Sequence, residues 1–309
     1  MSTDRPASSG RTTFLRAVAL SSLAACAHAP PAVTPPAPTP AGQMQRFQIG
    51  ALEAVALKDG DIDIPNDEKT LGIGRSTAEV GDLLAASGQP RERAELSIQP
   101  LLVKDGAHVL LFDTGAGNVS WARGGRLPRS LALAGVAPEQ VTDIFLSHSD
   151  LDHVGGLVTG GGMLAFPNAV IHLSSPEWAA MQKNPEASGV TPAIAPKVVA
   201  FEPGARVSPE VTAIATPGHT PGHSSYEIAS AGERLFYLGD VAHHFVVSVQ
   251  RPAWTIDYDQ NAPAAEAMRQ KVLASLARDG ERVYAVHFPF PGLGHVRSAG
   301  EGFVWEPQR

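Results

Sequence analysis

Three features of the 309-residue sequence predict an α/β fold. Short apolar runs of strand length, rich in β-branched residues, recur along the chain. Segments with helical spacing and capping residues lie between some of these runs. The 30 glycines and 26 prolines supply the turns that a fold of short elements needs. The apolar content of 43% is ordinary for a globular protein and excludes a disordered chain.

The elements follow in order along the chain. Ser174 and Pro176 predict the start of one helix, through an N-cap and a first-turn proline. Residues 263–279 predict another, with apolar residues four apart and Gly280 as its stop. Segments 61–97 and 183–197 are polar and rich in Gly and Pro, so we expect loops that form a wall over a site. Strands are predicted at residues 47–57, 98–103, 108–112, 141–146, 169–173, 211–215 and 234–238.

The first 44 residues predict export and a tether. Residues 1–26 combine early arginines with a short apolar run, the pattern of a secretory signal peptide. The run ends Leu-Ala-Ala-Cys and resembles a bacterial lipobox, so Cys26 is expected to be lipidated, in the periplasm or at a membrane. The alternative is a plain signal with Cys26 as an ordinary small residue. Residues 27–44 are predicted as a stiff linker, because six of the eleven residues 30–40 are proline. Residues 45–309 then form the folded domain.

Composition excludes several function classes. The net charge of −7 argues against general nucleic-acid binding, which needs a basic face. The single cysteine excludes an internal disulfide and a Cys-rich zinc finger. The expected partner is a small-molecule substrate, and the membrane is reached only through the N-terminal anchor. The oligomeric state stays open, with a homodimer compatible with the sequence.

A cluster of ionisable residues directly follows the predicted strand 141–146. Within six residues it contains His148, Asp150, Asp152 and His153, next to glycines that allow sharp turns. Imidazole together with carboxylate suits zinc or iron better than calcium or magnesium. A solvated acidic loop with incidental histidines is the alternative interpretation.

Three further segments place His219, Asp240 and His287 just after apolar runs. Taken singly, each has an ordinary explanation as a turn residue or a cap. Strand ends that meet at one sheet edge would instead bring these side chains to the first cluster. The set therefore predicts a binuclear metal centre.

Together these segments resemble the metallo-β-lactamase superfamily over nearly all of residues 45–305. The resemblance implies a four-layer αβ/βα sandwich with two divalent ions at one edge. It implies one pocket of His148, Asp150 and His219, a second of Asp152, His153 and His287, and Asp240 as the bridge. A metal-bridging hydroxide would be the nucleophile, and the catalytic assignments are Asp152 for proton transfer and Asp240 for the bridge.

Asp150 departs from the superfamily's commonest motif, which has histidine at this position. A carboxylate reduces the positive charge of its pocket and favours harder metals. The expected metals are therefore two zinc ions, with iron, manganese or cobalt as competitors.

The C-terminal third resembles methyl parathion hydrolase and its lactonase-type relatives, through residues 239–243, 255–259 and 287–295. This implies an enzyme that cleaves ester-type bonds, in a lactone or an organophosphate-like triester. Further residues expected beside the metals or the substrate are Asp113, His243, His295, Trp254 and Phe288. Trp254 and Phe288 could equally be ordinary core.

Other functions stay open at this point. A metallo-β-lactamase acting on β-lactam amides is one, and a non-catalytic, metal-binding surface lipoprotein is another. A glyoxalase II-like thioesterase lacks support because the chain has no additional helical region at its C-terminus. Export and acidity disfavour an mRNA-processing relative, and the full ligand set disfavours a mononuclear iron enzyme.

Overall fold

The computed structural model describes residues 43–308. The predicted signal peptide, with Cys26, and residues 27–42 of the predicted linker lie outside the described residues. The first strand begins at Met44, within the stretch whose proline content predicts the linker. The backbone N–H of Lys58 donates to the carbonyl of Gln43, which ties this end of the described chain to the fold.

Within residues 43–308 the elements are short, as the turn-rich composition predicts. The strands are β1 (Met44–Ile49), β2 (Leu52–Leu57), β3 (Gly60–Pro65), β4 (Leu71–Ile73), β5 (Arg93–Ile98), β6 (Leu101–Asp105), β7 (His108–Phe112), β8 (Asp143–Phe145), β9 (Val170–Ser174), β10 (Val198–Phe201), β11 (Val211–Ala215), β12 (Ser224–Ser230), β13 (Glu233–Tyr237), β14 (Thr255–Ile256), β15 (Arg282–Tyr284), β16 (Leu293–Ala299) and β17 (Gly302–Pro307). The helices are α1 (Thr77–Ala86), α2 (Leu127–Leu133), α3 (Leu151–Val154), α4 (Ser175–Met181), α5 (Thr191–Ile194), α6 (Val247–Gln250) and α7 (Ala262–Asp279). In this part of the chain no helix is both long enough and apolar enough to cross a membrane.

Two large mixed sheets organise the fold. The first has seven strands in the order β1-β2-β6-β7-β8-β9-β10, and the second has six in the order β11-β12-β13-β15-β16-β17. Strands β7 to β10 run parallel in the first sheet, as do β13 and β15 in the second. Neighbouring parallel strands therefore present their carboxyl ends at the same edge.

Side-chain alternation along the strands produces four layers. In β7, Leu110 and Phe112 face the second sheet, where Phe112 packs against Tyr226 and Tyr237. The intervening Leu111 belongs to a separate core that includes residues of α2.

The second sheet repeats this arrangement. In β13, Leu235 and Tyr237 face the first sheet, whereas Phe236 shares a core with Leu273 and Leu276 of α7. The layer order is helix, sheet, sheet and helix, the αβ/βα sandwich that the resemblance implied.

Segment 61–97, predicted as loop, is instead ordered structure. It contains β4, α1 and β5, and β5 pairs with β3 in a separate antiparallel ribbon. Alternation in β3 places Ile62 and Ile64 in a core with α1, while Asp63 faces solvent. The prediction was wrong because the intervening polar residues lie on an exposed face. Residues 183–197 likewise hold short helical turns, including α5.

The first predicted strand, 47–57, is two strands joined at Gly50 and Ala51. Gly50 has a φ of +56°, and a Cβ there would lie 2.0 Å from the carbonyl oxygen of Ser230. This left-handed turn makes β1 and β2 an antiparallel hairpin. Five other predicted strands (108–112, 141–146, 169–173, 211–215 and 234–238) correspond to β7, β8, β9, β11 and β13 within a few residues.

Candidate metal centre

The ends of five strands deliver the ionisable side chains to one edge of the sandwich. Asp113 follows β7, and the segment 147–153 follows β8. His219 comes four residues after β11, Asp240 three residues after β13, and His287 three residues after β15. This topology explains how residues far apart in sequence meet in one cluster.

The first group of donors contains His148, Asp150 and His219. The two imidazole Nε2 atoms lie 3.1 Å apart, and His219 Nε2 is 3.1 Å from Asp150 Oδ2. His148 Nε2 is 3.5 Å from the same carboxylate oxygen. The three donor atoms therefore converge on a common point.

The second group contains Asp152, His153 and His287. The Nε2 atoms of the two histidines are 3.2 Å apart. Asp152 Oδ2 lies 3.5 Å from His153 Nε2 and 3.4 Å from His287 Nε2. This group has the same composition as the first, two imidazoles and one carboxylate.

Asp240 lies between the two groups and turns one oxygen to each. Its Oδ1 is 3.3 Å from His153 Nε2 and 3.2 Å from His287 Nε2. Its Oδ2 is 3.9 Å from His148 Nε2 and 3.7 Å from His219 Nε2. This is the arrangement that a carboxylate bridging two cations requires.

Each of the four histidines has its Nδ1 engaged on the side away from the cluster. The partners are Ser147 Oγ for His148 at 3.0 Å, Asp113 Oδ2 for His153 at 2.8 Å, Asp259 Oδ1 for His219 at 3.3 Å, and the Ser97 carbonyl for His287 at 2.7 Å. An Nδ1–H that donates outward leaves the Nε2 lone pair directed inward, which is the tautomer that a metal ligand needs.

Asp113 and His223 hold the cluster from behind. Asp113 accepts hydrogen bonds from the backbone N–H and hydroxyl of Ser147 and from the hydroxyl of Tyr237, besides its contact with His153. Asp240 donates its backbone N–H to His223 Nε2 at 2.9 Å. Burial lowers the pKa of His223 well below its ordinary value, which keeps this imidazole neutral and able to accept.

The electrostatics of the cluster favour bound cations. Burial alone would lower the pKa of His153, but the carboxylates of Asp240, Asp152 and Asp113 outweigh it and raise the pKa well above the ordinary value. Burial likewise opposes the charge on His219, yet Asp150 and Asp259 raise its pKa to about 10. Carboxylates that draw protons onto buried imidazoles attract metal ions for the same reason.

The donor set fits two divalent ions. Asp240 Oδ1 is buried and has no hydrogen-bond partner within residues 43–308. A buried carboxylate oxygen is costly unless a hydrogen bond or a cation satisfies it. Two imidazoles with a carboxylate in each pocket are donors that zinc and other first-row metals bind.

Comparison with known proteins agrees with this geometry. Residues 95–287 match the metallo-beta-lactamase superfamily. The chain belongs to the metallo-beta-lactamase superfamily. The superfamily fold and the convergent His/Asp cluster make this protein a metal-dependent hydrolase. No match was found among the curated proteins.

Two solved structures of this superfamily are similar over most of the chain. AidC, a dizinc quorum-quenching lactonase in complex with a product, is 31% identical with a TM-score of 0.81, covering 88% of this chain and 99% of its own. The hydrolase AbOPH is 30% identical with a TM-score of 0.78, covering 87% of this chain and 98% of its own. A probable metal-dependent hydrolase from Staphylococcus aureus shares the fold at 18% identity, with a TM-score of 0.71, 85% of this chain and 100% of its own.

The cluster forms the floor of a cavity of about 460 Å³. The residues of the cluster that line this cavity are Asp150, Asp152, His219, Asp240 and His287. His243 also lines it. His243 Nε2 is 3.5 Å from Asp240 Oδ2, and burial lowers the pKa of His243 to about 3, so its imidazole is neutral. The walls comprise Ile62, Asp63, Leu96, Trp121, Leu151, Glu186 and Tyr258.

Three residues expected near the substrate lie elsewhere. Trp254 packs in the core formed by β3, β5 and α1, and Phe288 is fully buried against Trp305. His295, on β16, lines a separate surface depression with Arg234 and Arg282. Trp254 and Phe288 are therefore ordinary core, the alternative that the sequence left open. The expectation was wrong for His295, because β16 carries it away from the sheet edge that holds the cluster.

Sequence reasoning missed several residues that shape the site. Trp121 and Tyr258 line the cavity and are partly exposed, at 53% and 38%. Glu177 and Asp259 are buried and contact the metal-ligand loops. Two of these four residues, Tyr258 and Asp259, lie in segment 255–259, which resembles methyl parathion hydrolase and its relatives. Their contacts depend on the tertiary fold, so the sequence alone does not reveal them.

Proposed function

We propose that this protein is a binuclear hydrolase that cleaves ester-type bonds in uncharged substrates. Lactones are the leading substrate class and organophosphate-like triesters the second. The proposal rests on the floor of one cavity. Two donor groups of the same composition, each with two imidazoles and one carboxylate, form this floor, and Asp240 lies between them. The dizinc lactonase AidC, similar over 88% of this chain, supports both the metal number and the lactone class.

His148, Asp150 and His219 would hold one ion, Asp152, His153 and His287 the other, and Asp240 both. When bound, two such ions activate a water molecule as the nucleophile and polarise the substrate's carbonyl or phosphoryl oxygen. Asp152 lines the cavity, so its carboxylate is placed to take a proton and pass it to the leaving oxygen.

Two neutral side chains, Tyr258 and His243, line the cavity beside the metal groups. Burial and the nearby carboxylate of Asp152 raise the pKa of Tyr258 to about 12, which keeps its hydroxyl protonated at physiological pH. Its ring contacts the ring of His243, with centroids 5.7 Å apart. The Tyr258 hydroxyl can donate a hydrogen bond that orients a substrate oxygen over the metal groups, and the His243 ring supports it from the side.

The cavity walls favour substrates without a negative charge. Within residues 43–308 no lysine or arginine lines the cavity, whereas Asp63 and Glu186 do. Asp63 is paired with Arg123 outside the cavity, but Glu186 is exposed and has no ion-pair partner among the described residues. A β-lactam drug carries a carboxylate next to its ring, and here that carboxylate would meet no cationic side chain. The walls therefore favour lactones and triesters over β-lactams.

The apolar part of the wall suits an acyl chain. Ile62, Leu96, Trp121 and Leu151 line one side of the cavity. Burying a four- to six-carbon chain there would contribute about 0.8 kcal/mol per methylene. We therefore expect lactones with apolar acyl substituents to be hydrolysed with lower KM than unsubstituted ones.

Metal analysis combined with a substrate panel tests the proposal. The panel contains an N-acyl homoserine lactone, a p-nitrophenyl ester, an organophosphate triester and a chromogenic cephalosporin, with Asp240→Ala as the inactive control. We expect two metals per chain, turnover of the lactone and little turnover of the cephalosporin. Bound metal without turnover of any ester would support the non-catalytic lipoprotein instead, and preferential cephalosporin hydrolysis would support a β-lactamase.

We also propose that the domain is exported and anchored through Cys26. The Leu-Ala-Ala-Cys sequence and the proline-rich stretch that follows it support this location. Fractionation of cells expressing the natural chain and Cys26→Ser is the test. The natural chain should sediment with membranes and the variant should not, and a wholly soluble natural chain would leave only export.

A further inference from the structure

Glu177, on α4, is a fully buried carboxylate that belongs to neither donor group. Its Oε1 accepts from the backbone N–H of Ser149 at 2.9 Å and from the Ser149 hydroxyl at 2.6 Å. Its Oε2 accepts from the Thr220 hydroxyl at 2.7 Å and from the backbone N–H of Gly222 at 3.0 Å. All four donors come from two loops that contain metal-ligand residues.

The two loops carry the whole of the first donor group. Ser149 stands between His148 and Asp150, and Thr220 directly follows His219. Each oxygen of the Glu177 carboxylate thus holds one loop, and the carboxylate fixes the distance between them.

The packing around this carboxylate leaves the loops little freedom. A Cβ on Gly222 would lie 2.2 Å from the backbone nitrogen of Glu177, so the second loop is in direct contact with the start of α4. Ser174, which caps that helix, donates its hydroxyl to the carbonyl of Gly222 at 2.6 Å. The carboxylate is held in place by the helix and both loops.

The second donor group depends on other residues. Asp113 holds His153, and the carbonyl of Ser97 holds His287. Glu177 makes no hydrogen bond with these four residues. The Ser149 loop continues into Asp152 and His153 of the second group, but Asp113 holds His153 independently of Glu177.

We propose that Glu177 is a positioning residue for one of the two metal pockets: it sets the separation of the His148–Asp150 loop and the His219 loop, and so controls the affinity of the first pocket alone. Groups that orient metal ligands from behind change metal affinity by about 10- to 100-fold when they are altered. The inference depends on the metal centre and not on the identity of the substrate.

Glu177→Gln is a sharp test because it keeps the shape of the side chain. An amide has one acceptor oxygen and one NH₂ group, so either orientation places NH₂ against a backbone N–H, of Ser149 or of Gly222. Glu202→Gln is the matched control, because Glu202 accepts a hydrogen bond from Ser175 of the same helix but is exposed. Zinc titration of the metal-free proteins gives the affinity of each binding step.

We expect Glu177→Gln to weaken one binding step about 10- to 100-fold and to leave the other unchanged. The same substitution in a His219→Ala background, where the first pocket is already lost, should have no further effect on the remaining step. In a His287→Ala background, it should weaken the step that remains. Equal weakening of both steps, or an unchanged titration, would overturn the proposal.

If Glu177→Gln does not fold, two milder variants test the same proposal. Ser149→Ala and Thr220→Val each delete one hydroxyl donor and leave the carboxylate in place. Each should weaken the first pocket while the second stays unchanged, and two unchanged titrations would overturn the assignment.

Discussion

Arg269, in the middle of α7, donates from Nη1 to Asp259 Oδ2 at 3.1 Å, and both side chains are fully buried. The other oxygen of Asp259 is 3.3 Å from His219 Nδ1. The guanidinium also donates to the carbonyls of Pro252 and Trp254 at 2.9 and 3.0 Å. A buried arginine therefore connects the long helix of the outer layer, through Asp259, to His219 of the first donor group.

Arg269→Met is expected to destabilise the fold by about 3–5 kcal/mol, because it removes the guanidinium paired with the buried carboxylate of Asp259 and the donors to the carbonyls of Pro252 and Trp254. Denaturant unfolding of the metal-free protein measures the change. Arg278→Met, in the same helix, removes an exposed arginine paired with Asp279 and serves as control. Equal midpoints for the two variants would show that the buried pair contributes nothing to stability.

Asp113→Asn should lower the metal affinity of the second pocket about 10- to 100-fold. Asp113 has a φ of +57°, a conformation that asparagine tolerates, so the backbone is expected to stay as it is. The carboxylate oxygen that accepts from His153 and Tyr237 also accepts from the hydroxyl of Ser147, the partner of His148. Zinc titration should therefore show the larger loss at the second pocket, whose His153 contacts Asp113 directly, and weakening confined to the first pocket would contradict the structure.

Asp240→Ala should remove metal from both pockets, whereas His287→Ala should mainly empty one. The reason is geometric, since the two oxygens of Asp240 face different histidine pairs and His287 faces only the second group. Metal counts per chain on the two purified variants distinguish the cases. Full occupancy in Asp240→Ala would remove this residue from the site.

The fold and the donor groups were accessible from sequence because their signals are local. His148, Asp150, Asp152 and His153 lie within six consecutive positions, and the other donor residues each follow an apolar strand. The residues that support them carry no such signal. Glu177 reads as an ordinary first-turn glutamate, yet its partners lie 28 and 43–45 residues away.

For some side chains the sequence does not distinguish a place in the core from a place at the site, and only their burial in the fold decides between the two. Trp254 and Phe288 are apolar residues that the sequence places equally well in a substrate wall or in the core, and only the fold shows that they face the core. Trp121 lies in a polar, glycine-rich stretch that resembles an ordinary loop, yet it is part of the cavity wall. Pairing of β3 with β5 spans about thirty residues, so no short sequence window could reveal it.

The partly buried pair of Asp143 and His172 predicts a loss of stability in acid. A hydrogen bond from His172, 2.8 Å away, holds the pKa of Asp143 below its ordinary value of 3.8. A carboxylate whose pKa is lower in the folded state stabilises the fold above its unfolded pKa, and this contribution is lost as the pH falls through the folded value. The contribution is therefore complete above about pH 4–5 and declines below that.

Thermal melts of the natural chain and Asp143→Asn between pH 7 and pH 2 measure this effect. The difference in Tm should be present at pH 7 and should shrink as the pH falls below about 4. Asp105→Asn, at the end of β6, controls for the loss of one negative charge. A difference in Tm that stays constant across the whole range would rule out the linkage.

Asp150→His tests the ligand that departs from the commonest superfamily motif. Asp150 lies in the turn before α3, and its carboxylate lies 3.1 Å from His219 and 3.5 Å from His148, so it is part of the first donor group. Its side chain is 36% exposed, and replacement is therefore expected to leave the core intact. Histidine in its place removes one negative charge from the pocket.

With that charge removed, bound ions should be stronger Lewis acids, and the pH–rate profile on an activated ester should move to lower pH. The preference of the pocket should also shift towards zinc and away from manganese or iron, because imidazole is a softer ligand than carboxylate. Activity between about pH 5 and 10, measured on both proteins reconstituted with each metal in turn, checks both effects. An unchanged profile together with an unchanged metal preference would mean that Asp150 does not bind the ion, and Asp240 or His243 would then have to complete the first pocket.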